Sequence, residues 1–171
     1  MKVFDDNGNL LSDGVNTYTY DSANRLISVN SNTTYSYNGL GDRYQQTVNN
    51  QTTTYVLDLN AGLTQVLDDG ENTYTYGLGR ISQVNTTTEY FLTDALGSVR
   101  QMTNNVGDIT LAKKYSPYGT SLSSAGDSET PYGFTGEVTD STGNIYLRAS
   151  SCPPGVLMST VKSRLLRLTL M

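Results

Sequence analysis

A tyrosine strand, a turn and a return strand recur along this 171-residue chain, and a recurring unit of that size limits the fold before any single residue is interpreted. The copies are YTYDSANRLISV from Tyr18, YSYNGLGDRYQQTV from Tyr35, YVLDLNAGLTQVL from Tyr55, YTYGLGRISQV from Tyr74 and YFLTDALGSVRQM from Tyr90. A weaker copy, FDDNGNLL, places Phe4 in the tyrosine position. Such repeats stack into quasi-linear arrays in which each unit contacts mainly its neighbours.

In YTYD the tyrosines stand at i and i+2, so Tyr18 and Tyr20 share one strand face and Thr19 takes the other. Their rings are expected to stack on equivalent rings of adjacent hairpins. Asp21 is placed to cap the following turn through its carboxylate, and Asn24, Gly41, Gly62, Gly79 and Gly97 sit where a positive φ is cheapest. Return strands follow at 26–29 and before Val48, and the polar links 29–34 and 48–54 absorb the variation in spacing. The expected fold class is all-β: antiparallel β-hairpin repeats forming a curved sheet, with almost no helix except in the C-terminal tail. A β-sandwich with tyrosine-rich strands is the alternative that spacing alone leaves open.

Composition narrows the function. Charged residues are 16% of the chain, apolar residues 36%, and the formal net charge is -5, so no basic stripe argues for a nucleic-acid partner. Histidine is absent and Cys152 is the single cysteine, which removes the common zinc sets, His-based triads and an internal disulfide. The first residues carry no apolar export signal, and no stretch is apolar enough for a membrane span.

Candidate sites are correspondingly thin: no catalytic, cofactor-binding or metal residue is assigned, no cofactor is expected, and the chain reads as no enzyme. The acidic pairs Asp5-Asp6 and Asp68-Asp69 have the raw material of calcium loops without the alternating ligand series, and turns account for them better. Tyrosine faces among Asn and Thr resemble carbohydrate-binding surfaces, although core stacking explains alternating tyrosines. Cys152, between a serine pair and two prolines, lacks a base. Asn32, Asn50 and Asn85 open N-x-Thr matches of the kind that chance supplies in a threonine-rich chain.

These residues resemble the RHS, or YD-repeat, family over residues 4–149. After the repeats, YFLTDALGSVRQMTNNVGDI at 90–109 resembles the family's "DxLGSVRxLTDxxGxI". LAKKYSPYGT at 111–120 resembles "xYxPYG", YGFTGEVTDSTG at 132–143 resembles "FTGxxxDxxTG", and NIYLRA at 144–149 resembles "LYYLRAR". The resemblance implies YD/RHS repeats at 1–89 and an RHS-associated core region at 90–149. By residues alone, Asp94-Gly97, Asn105-Gly107, Pro117-Gly119 and Asp140-Gly143 read as turns, and SLSSAGDSETP at 121–131 as an exposed, mobile loop.

The family implies a hollow β shell that encloses a toxic C-terminal polypeptide, with self-cleavage by paired aspartates just beyond the "LRAR" segment. Here the resemblance stops at Ala149. Residues 150–171 diverge, contain no acid, and read as an out-of-frame or degraded end in preference to a short basic amphipathic helix, so no self-cleavage is expected. The implied role is a structural shell segment of a secreted or cell-surface protein. The alternatives are a glycan- or protein-binding surface module and the remnant of a self-cleaving core. Expected partners are further shell repeats or other copies joined through open sheet edges.

Overall fold

The computed structural model describes residues 1–148 and the backbone of Ser151 and Cys152. Strands β1 (Val3–Phe4) and β2 (Leu10–Ser12) form a first hairpin. A five-stranded sheet follows: β3 (Tyr18–Tyr20), β4 (Leu26–Val29), β5 (Thr33–Tyr37), β6 (Arg43–Val48) and β7 (Gln51–Thr54).

An eight-stranded sheet contains β8 (Val56–Asp58), β9 (Gln65–Asp68), β10 (Thr73–Tyr76), β11 (Arg80–Val84), β12 (Thr88–Thr93), β13 (Val99–Thr103), β14 (Ile109–Tyr115) and β15 (Ser121–Gly126). A last small sheet joins β16 (Val138–Thr139), β17 (Ile145–Tyr146) and β18 (Ser151–Cys152). Within each sheet every pairing is antiparallel and joins strands consecutive in the chain, and the one helical piece among the described residues is a 3-10 turn at Phe134–Gly136.

One turn design closes hairpin after hairpin. At Asp5, Asp21, Asn38, Asp94, Asn104, Ser116 and Asp140 the side-chain oxygen accepts the amides of residues i+2 and i+4, while the carbonyl of residue i accepts the amide of residue i+3. Residue i+3 is a glycine, or Asn24, with positive φ, and the register shifts by one in the adjoining strand pair of six of these hairpins, the combination of a type I turn and a bulge. The capping expected of Asp21 is therefore general. Gly62 and Gly79 depart from the expectation, since neither has a positive φ.

The expected single sheet is divided at Tyr55. The extended run 51–58 changes partner there: β7 pairs with β6, Tyr55 donates its amide to the Tyr44 carbonyl, and β8 pairs with β9. Two segments read as links or loops are strands. Asn49-Asn50, both at positive φ, make a two-residue hairpin turn, so Gln51–Thr54 is β7. Ser121–Gly126 is β15, paired along β14 yet exposed at every residue. Its small side chains hide a pairing made entirely by backbone.

Two apolar clusters follow the tyrosine faces. Leu10, Tyr18, Leu26, Val29 and Tyr35 pack with Tyr20 and Tyr37, as the i, i+2 spacing requires. Tyr74, Phe91, Val99, Met102, Leu111 and Tyr132 form the second. In the fifth repeat the phase slips by one residue: Tyr90 is exposed and Phe91 enters the core.

Candidate functional site: the arginine seam under the closing segment

Residues 127–148 run back across the eight-stranded sheet. Gly133 accepts the Val99 amide at 2.9 Å, Ser98 Oγ accepts the Thr135 amide at 3.0 Å, Gln83 Nε2 donates to the Glu129 carbonyl at 2.8 Å, and Ser128 donates to Glu89. Tyr132 inserts edge-on against Tyr74 and Phe91, with centroids 5.0 and 6.4 Å apart. We refer to these residues as the closing segment.

The rings do not simply stack on one another as the sequence suggests; arginines just after the turns lie between them. Arg25 sits over Tyr37 and Arg100 over Tyr115. Arg43 is 4.0 Å from the Tyr146 ring centroid and 4.9 Å from that of Tyr35, and Arg80 lies near Tyr74, Tyr76, Phe91 and Tyr132. A flat guanidinium meets ring faces well and loses less hydration than an ammonium.

Both central arginines bind the closing segment. Arg80 donates to the Gly136 carbonyl at 3.2 Å. Arg43, with a side chain 2% exposed, stands 3.9 Å from a carboxylate oxygen of the fully buried Asp140. Tyr35 donates its hydroxyl to that same oxygen at 2.7 Å. Arg148 adds an ion pair to Glu137 and donates to the Thr64 carbonyl at 2.7 Å. Burial raises the Glu137 carboxyl above its ordinary range, and Arg148 opposes that shift.

Between the two large sheets and the closing segment lies a cleft of about 480 Å³, lined by Arg43, Tyr55 and Tyr146 together with Asp69, Lys113, Glu129 and Tyr132. Lys113 donates to the carbonyls of Thr130 and Tyr132 at 3.3 Å, and burial lowers its amine. The cleft's two basic side chains, Arg43 and Lys113, are thus both engaged with the closing segment.

The acids weighed for calcium have internal duties. Asp5 holds its turn, Asp68 accepts the Gly70 amide and the Thr73 hydroxyl, and Asp69 accepts two amides and the Tyr74 hydroxyl. Among the described residues no three His, Cys, Asp or Glu gather as a metal group would need. Repeat tyrosines Tyr18, Tyr35 and Tyr74 are buried and offer no glycan face. Ser151 and Cys152 form an edge strand by backbone; the side chain of Cys152 and the rest of the divergent end expected at 150–171 lie outside the described residues.

Sequence reading missed the seam arginines and, separately, a near-exact internal repeat. DGVNTYTY at 13–20 and DGENTYTY at 69–76 are nearly the same octapeptide. In each, Asp13 or Asp69 accepts amides two and three residues on and the hydroxyl of the tyrosine five residues on.

Consecutive antiparallel hairpins closed by one turn design, with a segment folded over them, define the class of fold: an all-β array of hairpin repeats. The chain's fold is similar to the Photorhabdus luminescens Tc holotoxin pore, with a TM-score of 0.72 and 21% identity over 88% of this chain and 9% of that one. It is also similar to TcdB2-TccC3, with a TM-score of 0.68 and 18% identity over 88% of this chain and 9% of that one.

In sequence the chain is 32% identical over 91% of its length to the tRNA3(Ser)-specific nuclease WapA of Bacillus spizizenii, and 29% identical over 91% to the tRNA(Glu)-specific nuclease WapA of Bacillus subtilis subsp. natto. It spans 8% of the length of each of these relatives. No family model matches the chain. The sequence and fold matches together support an RHS family.

One expectation is corrected here. The chain was read as no enzyme, whereas the curated relatives that match 91% of it are named tRNA-specific nucleases, which are enzymes. The residues of this stretch alone carry no catalytic constellation, whereas those relatives are more than ten times as long as the matched part.

Proposed function

We propose that this chain is a wall segment from the C-terminal end of a larger RHS-type shell, secreted or displayed at the cell surface, with repeats at 1–89 and the associated core region at 90–149. The observation that carries this reading is the closing segment. Hairpins added strictly in chain order make a wall, and residues 127–148 then leave that order and fold across it. The likeness in fold to the Tc holotoxin pore and TcdB2-TccC3, and in sequence to the WapA nucleases, supports it. No helix among the described residues is long and apolar enough to cross a membrane.

The partners of such a wall are further strands. β15 is exposed along its whole length, carries no charge and leaves one edge unpaired. Light scattering on the purified chain tests the reading: concentration-dependent association is expected, reduced by Leu122→Lys on that strand. A monodisperse monomer at all concentrations would identify a self-contained domain instead.

The names of the curated relatives favour a second reading, that the protein to which such a wall belongs acts on tRNA. Incubating the purified chain and the complete gene product with total tRNA separates the two levels. Discrete cleavage by the complete product supports the reading, and intact tRNA throughout opposes it.

A further inference from the structure

The seven hairpin turns differ in what they do with the second atom of the turn side chain. Asp5 gives Oδ2 to Asn9, Asp21 gives it to Arg25, and Asp94 faces Arg100 at 3.8 Å. Asn38 and Asn104 donate Nδ2 to Asp42 and Asp108, and Ser116 has no second atom to offer. In each case the free atom serves its own repeat.

Asp140 breaks the rule. Its Oδ1 holds its own turn, accepting the amides of Thr142 and Asn144 at 3.0 Å, while Oδ2 reaches Tyr35, 105 residues away, and Arg43. The receiving repeat is altered to match. Tyr18 and Tyr74 find their hydroxyl acceptors five residues back at Asp13 and Asp69. Five residues before Tyr35 stands Asn30, whose side chain faces Thr17 and Asn16 instead. Tyr35 and Arg43 are therefore a seat in the wall whose missing part is one carboxylate, and Tyr146 completes it by accepting the Arg43 amide at 3.1 Å.

We propose that Asp140 is a latch: a turn side chain with one oxygen committed to its hairpin and the other to a carboxylate seat in the second repeat, which fixes where the closing segment docks on the wall. Arg43 gives the seat its selectivity, since a buried guanidinium without a facing acid is costly. An Asp140→Asn chain keeps its turn, because Asn38 and Asn104 already serve in that position, and places an amide NH2 before Tyr35 and Arg43. The latch belongs to this chain and does not depend on the shell reading.

Hydrogen exchange on the full chain tests it. Asp140→Asn is expected to speed amide exchange roughly 10- to 100-fold at 138–146 and at 43–46, the loss of a charge-assisted bond, and to leave 18–29 unchanged. Asp94→Asn makes the same chemical change in a turn whose second oxygen faces its own repeat, and should leave both regions unchanged. If Asp140→Asn alters only 140–144, or no more than Asp94→Asn does, the latch is refuted.

Tyr35→Phe decides the matter should Asp140→Asn fail to fold. It touches no turn, yet should loosen 138–146 across the interface, and a silent Tyr35→Phe overturns the proposal. Where both variants fold, combining them should change exchange by less than the sum of the two, as partners in one contact do.

Discussion

The guanidinium carbon of Arg80 lies 3.0 Å from the centroid of the Tyr132 ring, so a cation from the eight-stranded sheet sits over a ring from the closing segment. Arg80 also reaches three rings of its own sheet and the Gly136 carbonyl. It is the point where the second apolar cluster is fastened.

Arg80→Ala should therefore cost about 3 kcal/mol, from a desolvated cation–π contact and a charged hydrogen bond. In a chain of this size that lowers Tm by roughly 6–12 °C. Arg80→Lys keeps the charge and loses the flat fork, so about half the loss is expected. Thermal melts of the three chains followed by circular dichroism check the order.

High pH offers a second test. Burial raises the hydroxyl pKa of Tyr18, Tyr35, Tyr37, Tyr55, Tyr74, Tyr115, Tyr132 and Tyr146, and pushes Tyr18 and Tyr115 up to about 12. The unfolded chain ionises its tyrosines near pH 10. A folded pKa above the unfolded one means the stabilisation is complete below about pH 10 and is lost as pH rises through the folded value. Tyrosinate absorbance should thus show a late step between about pH 10 and 12 that coincides with loss of the β signal. An ionisation of all tyrosines without unfolding would contradict the burial described.

Two turn glycines separate backbone strain from crowding. Gly107 has φ +94 with nothing within 4 Å of a would-be Cβ, so Gly107→Ala should cost about 1–2 kcal/mol from conformation alone. Gly119 has φ +84, and its would-be Cβ falls 2.7 Å from a ring carbon of Phe134. Gly119→Ala should cost about 1–3 kcal/mol more, as overpacking does. Equal losses in urea unfolding would show that Phe134 yields freely.

Much of the wall was legible in the residues. Tyr18 and Tyr20 share a face because strands have period two, Asp21 caps because its carboxylate is short enough to reach its own backbone, and Leu26–Val29 is the return strand expected. What was hidden depended on partners distant in sequence. β15 has no apolar alternation because it faces solvent on both sides and is held by backbone pairing with β14. Arg43 and Arg80 read as ordinary post-turn polar residues, since nothing near them in sequence reveals that Asp140 and Tyr132 will arrive. Tyr90 and Phe91 are adjacent aromatics, and motif alignment chose the wrong one for the core.

The strand order carries a consequence for how such a protein is made and remade. Every ladder joins two strands that are consecutive in the chain. A nascent polypeptide could therefore complete each hairpin as it leaves the ribosome, without waiting for distant sequence, and contact orders of this kind favour rapid folding. A gene encoding such a meander could gain or lose one hairpin without rethreading any other, while Asp140 and Arg43 would register every change in count between them.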